Sequence, residues 1–299
     1  ARAGHGDHSR AAGDDRRPLP RPGGEAQPRT HQPGHQRRCL GAPRRVWAIA
    51  AIHADCWRLC CLHDALYARF RPGDRIVYLG NYTGHGPKPV ETLDEILGFR
   101  RSILSIAGVL ATDIVYLRGM QEEMGQKLLQ LQFAPNPFEV LSWMLENGMD
   151  STLAAYGFSG RDGLGFARVG AVALTHWTVR IHKAIRARAG HEIFATVLRR
   201  AAYTAESTPH PLLFVHAGIE PSKPLAAQND AFWWGGKDFD RMERPYQSYD
   251  KVVRGFDSSR GGVRMDTIRA TLDGGCGFGG SLVCAGFDQS GQIFDLLRA

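Results

Sequence analysis

The chain has 299 residues, of which 43% are hydrophobic and 22% charged, with a formal net charge of +7. That is enough chain for one large domain or two small ones around a proper core, and it excludes collagen-like, disulfide-scaffold and wholly disordered proteins. The longest candidate for a membrane span, Ile103 to Leu117, is too short and is broken by Ser105, Gly108, Thr112 and Asp113, so no span is expected.

Taken from the start, residues 1–45 hold ten Arg, no Lys and four acids, a net +6 that leaves about +1 for residues 46–299. The same stretch has six Pro, seven Gly and almost no large apolar residue. It cannot bury enough surface to offset its ordering entropy. It reads as a basic Arg/Pro/Gly-rich extension, either disordered alone or an arm that folds on a partner protein. Asp7, Asp14, Asp15 and Glu25 fit a transit segment poorly, and no secretory apolar region follows. A cytoplasmic location with reduced thiols is therefore expected. The first residue is Ala1 rather than Met, which leaves processing or truncation open. With so little positive charge, residues 46–299 are not expected to bind nucleic acid specifically.

Val46 to Ile52 is an apolar run ending at His53, the pattern of a buried strand. Residues 55–69 place Trp57, Cys60, Cys61, Leu62, Ala65 and Leu66 at helical spacing. Cys56, Cys60 and His63 would share one face of that helix, as core or surface residues in preference to a metal or redox site. After the turn Arg71-Pro72-Gly73-Asp74 come a strand at Arg75 to Leu79, a loop GNYTGHG at Gly80 to Gly86 and an amphipathic helix from Pro89 to Arg101. Asp113 to Leu117 is a third strand, followed by the loop RGMQEEM. Residues from about 120 to 210 read as mostly helical, with helices at Met124 to Phe133, Phe138 to Asn147 and Ala171 to Leu198. Pro211 to Val215 is a strand running into His216-Ala217-Gly218, Val252-Val253 leads into RGFD, and residues 281–297 form a hairpin turning near Gln289-Ser290-Gly291. Strands alternating with helices argue an α/β fold. Each strand ends in a short polar or Gly-rich loop, and such loops gather at one edge of an open sheet.

In their order, AAIHAD (50–55), GNYTGHG (80–86), RGMQEE (118–123), FVHAG (214–218) and RGFD (254–257) resemble the phosphoprotein phosphatase branch of the calcineurin-like metallophosphoesterases. The bacterial serine/threonine phosphatases and diadenosine tetraphosphatases are the most similar, with GDIHG, GDYVDRG, RGNHE, FVHAG and GHT in the same order. Glu146-Asn147-Gly148, Thr152-Leu153 and Tyr156-Gly157 resemble their helical insert, FVHAGIEPSKPLAAQ (214–228) their fourth motif, and GFGGSL (277–282) their closing strand. The resemblance implies two packed β-sheets flanked by helices, with a helical insertion, over residues 46–299.

The resemblance also shows where this chain departs. Of six implied metal ligands, His53 and His216 are kept, the bridging Asp becomes Asn81, and the others fall on Ala51, Met120 and Phe256. The catalytic His position holds Gln121, a later Asp falls on Gly84, and the phosphate-binding Arg position holds His85. A two-metal centre needs a charged bridging ligand and a hydroxide held between the ions, which one neutral amide and two imidazoles do not provide. Gln121 has no proton to exchange near neutral pH.

The expectation is a pseudophosphatase: no catalytic residue and no cofactor, with a protein partner or a phosphorylated ligand bound through the cleft or the extension. The alternative is a divergent phosphoric ester hydrolase with one Mn, Fe or Zn ion at His53, Asn81 and His216. Arg118, Asn81 and His85 are the candidates for an anion pocket, with an ion pair as the other reading for Arg118. Glu122 and Glu123 face helix or solvent. Asp55 or Asp257 could stand in as a shifted carboxylate. Trp233-Trp234-Gly235-Gly236 reads as core or cleft wall in preference to a recognition element. Asp273 to Gly277 is Gly-rich but lacks the following helix of a phosphate loop.

Overall fold

The structure, a computed structural model, describes residues 37–235 and 237–299. The extension up to His35-Gln36 lies outside the described residues. In chain order the elements are β1 (Arg37–Cys39), β2 (Arg45–Ile49), α1 (Cys56–Arg69), β3 (Asp74–Tyr78), α2 (Pro89–Leu104) and β4 (Ile114–Tyr116). A helical stretch follows: α3 (Met120–Leu128), α4 (Pro137–Met144), α5 (Asp150–Ala155), α6 (Gly160–Val169), α7 (Ala171–Arg186) and α8 (His191–Val197). Then come β5 (Ala201–Tyr203), β6 (Leu212–Val215), α9 (Ala231–Trp234), α10 (Lys237–Asp240), β7 (Lys251–Arg254), β8 (Arg264–Met265), β9 (Arg269–Thr271), β10 (Val283–Phe287) and β11 (Ile293–Arg298).

The strands form a five-stranded sheet, β11-β10-β2-β3-β4, and a six-stranded sheet, β1-β5-β6-β7-β9-β8. Alternation along each strand dictates the layers. Val46, Ala48, Val77 and Val115 face Phe214, Val253 and Ala270 between the sheets. Trp47, Ile49, Ile76 and Tyr78 point the other way and are covered by Leu59, Leu62 and Leu66 of α1 and Ile96 and Phe99 of α2. The outer face of the second sheet buries Leu213, Val215 and Val252 under Phe232, Phe239 and Tyr246. The two sheets, the helices outside them and the helical insertion match the expectation from sequence.

Two boundaries move. Arg37–Cys39, read as part of the extension, pairs in parallel with Ala201–Tyr203, and Leu40 beside it is buried in the core between the sheets. Ala201–Tyr203, read within the helical stretch, is β5, because pairing with β6 outweighs the helix preference of its alanines. The long helix read from Ala171 to Leu198 is broken between Arg186, where α7 stops, and Gly190, whose φ of +86° precedes the start of α8. Local caps set the other starts: the Asp55 carboxylate accepts from the Arg58 N–H at 3.1 Å to open α1, and Pro89 opens α2.

The entry to the first sheet turns on one fully buried carboxylate. Asp74 accepts from Arg45 Nε at 2.8 Å, Trp47 Nε1 at 3.1 Å and the Arg71 N–H at 3.0 Å, tying the starts of β2 and β3 together. Asp74→Ala leaves the Trp47 donor and the Arg45 guanidinium unanswered. It is expected to lower the unfolding free energy by about 3–5 kcal/mol, measured by urea denaturation; a loss near zero would show that water replaces the carboxylate.

Candidate functional site

Five loops converge where the strands end. Ala51 N–H donates to the Gly255 carbonyl at 3.0 Å, linking the end of β2 to the end of β7 across the two sheets. The Asn81 carbonyl receives the N–H groups of Ile52 and His53, which ties the first loop to the second. His53, Ala54, Asn81, His85 and Arg260 all take positive φ, between 50° and 60°. Side-chain-bearing residues adopt this conformation only under surrounding constraint, at about 1 kcal/mol or more each.

His216 is completely buried. Its Nδ1–H donates to the Leu79 carbonyl at 2.6 Å, so Nε2 carries the lone pair, and that atom has no hydrogen-bond partner. Burial lowers its pKa to about 4, with the Leu79 contact opposing. The Phe256 ring stacks flat on it, with centroids 5.3 Å apart and planes within 4°.

His53 is buried beside it. The Gln121 backbone N–H donates to Asn81 Oδ1 at 3.0 Å, which fixes the amide so that Asn81 Nδ2 donates to His53 Nε2 at 3.3 Å. The His53 proton therefore sits on Nδ1, which is buried without a partner. Its ring meets those of Phe256, Phe278 and His85 edge-on at 5.6, 5.1 and 5.2 Å. Burial, and then His85, His216 and Arg260, push its pKa well below the ordinary histidine value.

Gln121 stands in the first turn of α3. Its Nε2 donates to the Asn147 carbonyl at 2.7 Å, and its Oε1 is buried without a partner. The side chain fills the space that a Cβ at Gly84 would need. Asn147 lies in the wide helical turn Leu145–Met149, which kinks at Gly148. His85 uses the room that the missing Cβ of Gly148 leaves. Burial, then Arg260, lowers the His85 pKa, so at neutral pH it is an uncharged ring and not a substitute for a phosphate-binding guanidinium.

The remaining candidates have structural partners. Arg118 pairs with Glu123 at 3.2 Å and donates to Gln126 at 2.5 Å, the ion-pair reading. Glu122, expected to face helix or solvent, instead accepts from the N–H groups of Gly119 (2.8 Å), Asn81 (2.9 Å) and Tyr82 (2.9 Å), pinning the second loop to α3. Glu123 lies buried beside Arg118 in place of facing solvent. Asp55 is occupied as the cap of α1, and Asp257 accepts from Ser259 and Arg264. Burial raises the Asp257 pKa, but those contacts and Arg254 together hold it below the usual carboxylate range. Trp233 is buried in the core under Arg200, and Trp234 packs on Trp143 at 5.1 Å, so the core reading holds for this pair; Gly236 lies outside the described residues. Gly277 makes close contact with the His53 side chain, and the Asp273–Gly277 turn leads to no helix. His63 gives both ring nitrogens to Glu95 (2.6 Å) and Tyr78 (2.8 Å), which leaves none for Cys56 or Cys60.

Sequence reading missed Phe278 and Arg260. Phe278 rests on His85 at 4.5 Å, and the Arg260 guanidinium lies 3.7 Å from the Phe278 ring centroid. The glycines flanking Phe278 in GFGG were the available signal.

Two metal ions do not fit this donor set. Asn81 turns an NH2 group, not an oxygen, toward His53. Ala51, Met120 and Phe256 supply no ligating atom and belong to one apolar cluster with Ala217 and Met124. Among the described residues no three His, Cys, Asp or Glu side chains are grouped to hold a metal ion. No described helix is long and apolar enough to cross a membrane.

No family model and no curated protein matches the sequence. Solved structures do. A candidate diadenosine tetraphosphatase is similar over 89% of this chain and 98% of its own, with 19% identity and a TM-score of 0.52. A protein serine/threonine phosphatase from Saccharomyces cerevisiae with similarity to human phosphatase PP5 covers 86% of this chain and 79% of its own at 14% identity, TM-score 0.44. A metallophosphoesterase from Sphaerobacter thermophilus covers 86% and 88% at 15% identity, TM-score 0.40. The chain has the calcineurin-like metallophosphoesterase fold.

The buried histidines give a pH signature. An unfolded His216 takes a proton below about pH 6.5, whereas the folded one resists until about 4. Between those values the unfolded chain binds more protons, so stability falls as pH falls, by about 3 kcal/mol for this residue. His53 adds in the same direction. Urea titrations from pH 7 to pH 4 are expected to show this loss, and His216→Gln to remove its share of the slope. An unchanged slope in that variant would mean that His216 titrates normally.

Proposed function

We propose that the protein is a pseudophosphatase, a metallophosphoesterase-fold protein that acts by binding a partner protein or a phosphorylated ligand and not by hydrolysis. The observation that carries this reading is the Phe256 ring, which touches both His53 and His216 and continues into the apolar cluster of Ala51, Met120 and the insertion helices. Phosphoester hydrolysis on this fold draws its power from charge neutralisation and an activated water. The residues at the centre are instead two neutral imidazoles, two amides and apolar groups. Gln121 holds a backbone carbonyl of the insertion, so it positions Asn147 and exchanges no proton.

One observation favours a second reading, a phosphohydrolase with a single metal ion. His216 presents a buried, unprotonated Nε2 with Nδ1 anchored on a backbone carbonyl, the orientation common in metal-bound histidines. His53 is poorly placed to join it, since its Nε2 is occupied by Asn81.

After incubation with manganese or zinc and desalting, elemental mass spectrometry is expected to find far less than one metal per chain. An aryl phosphate is expected to show no metal-dependent turnover. Retained metal together with turnover, both lost in His216→Ala, would overturn the binding reading and establish the second.

A further inference from the structure

The positive charge lies elsewhere than the sequence suggested. Residues 1–36 hold six Arg against four acids, so a net +5 of the chain's +7 belongs to residues 37–299. Five arginines of the folded body gather where β1, β4 and β5 meet. Arg37 and Arg38 lie opposite Ala201 and Ala202 in the parallel register of β1 with β5. Arg199 and Arg200 directly precede β5, and the Arg118 N–H, just beyond β4, donates to the Arg199 carbonyl at 2.7 Å. All five are half-buried.

Little answers the charge of Arg37, Arg38 and Arg199. Arg118 has Glu123, which it shares with Lys127, and Asp230 lies near Arg200. Among the described residues no carboxylate pairs with Arg37, Arg38 or Arg199. Burial disfavours the charge of Arg200, Glu123 and Asp230 attract it, and Arg118 and Arg37 repel it; burial and then Arg38 disfavour that of Arg199. Arg200 is held in place by Phe232 and Trp233, 5.2 and 4.8 Å below its guanidinium, and by the Gln228 carbonyl at 2.8 Å. Like charges fixed in proximity and partly withdrawn from water are unfavourable unless an anion joins them.

We propose that this arginine cluster docks an acidic segment of a partner protein, with several closely spaced carboxylates. Charge complementarity sets the sign of the ligand, and the arrangement sets its form. Arg37, Arg38 and Arg199, spread over two chain segments with Arg37 and Arg38 on opposite faces of β1, exceed what one compact anion reaches. Among the described residues β1 is paired on one side only, so an extended segment alongside it carries side chains past Arg37 on one face and Arg38 on the other. The inference rests on the binding reading for its biological role, but its geometry is independent of the cleft.

The test uses the full chain and a fluorescein-labelled polyglutamate peptide, followed by anisotropy at low and physiological salt. Binding that weakens with salt is expected. The double variant Arg37→Ser/Arg38→Ser is expected to weaken it about tenfold or more. Arg161→Ser/Lys183→Ser, which removes equal charge from α6 and α7, should change it less than about twofold. Circular dichroism confirms that the variants are folded, and Arg199→Gln serves if the double variant is not. Equal weakening by both double variants would reduce the effect to net charge and overturn the proposal. So would tighter binding of inorganic triphosphate or a single-stranded oligonucleotide than of the peptide, or no binding at low salt. None of these outcomes involves ester turnover, so this proposal and the pseudophosphatase reading can fail separately.

Discussion

The two sheets are joined at their carboxyl ends by a pair of polar contacts: His216 Nδ1–H to the Leu79 carbonyl, and the Ala51 N–H to the Gly255 carbonyl. Each contact bridges one sheet to the other at a depth where water cannot substitute. The His216 carbonyl in turn receives the N–H groups of Gly255 and Phe256. Three loops are thus fixed relative to one another before any side chain of the cleft is considered. That fixation allows His53, Asn81 and His85 to hold left-handed backbone conformations that a freer loop would relax. The framework keeps the geometry of a site whether or not the site keeps its ligands.

Given that framework, the chemistry follows from what fills it. Ala51, Met120 and Phe256 extend the apolar core of the insertion to the strand ends, and Asn81 adds a neutral amide there. Among the described residues, His53 Nδ1, His216 Nε2 and Gln121 Oε1 are buried without hydrogen-bond partners. An unmade hydrogen bond in the interior costs about 1–3 kcal/mol, so these three groups are a liability that Phe256 stacking and the neutral state of both imidazoles keep tolerable.

Much of this was legible in the sequence. The strands ending at His53, Asn81, Arg118 and His216 were each marked by a β-branched or aromatic run meeting a polar or glycine-rich loop, and the order of the loops implied the sandwich. What stayed hidden depended on partners distant in sequence. Nothing local in Arg37-Arg38-Cys39 or Ala201-Ala202-Tyr203 says strand, because each needs the other to form. Glu122 looked like a solvent-facing helix residue, yet its carboxylate holds three backbone N–H groups, two of them about forty residues away in sequence. The direction of the Asn81 amide could not be read from sequence, since it is decided by one backbone N–H on α3.

The same non-local pairing changes where the protein can meet other molecules. Once Arg37 and Arg38 belong to a strand, they are no longer tail charges that move freely and are screened individually by salt. They are held beside Arg199 and Arg200, and their fields add. A flexible basic arm attracts any polyanion weakly, whereas guanidiniums fixed on a sheet edge favour a ligand whose anions match their spacing. The strand ends at His53 and His216 are, in contrast, neutral and apolar. The fixed positive charge therefore sits at the edge of the six-stranded sheet, away from the neutral strand ends.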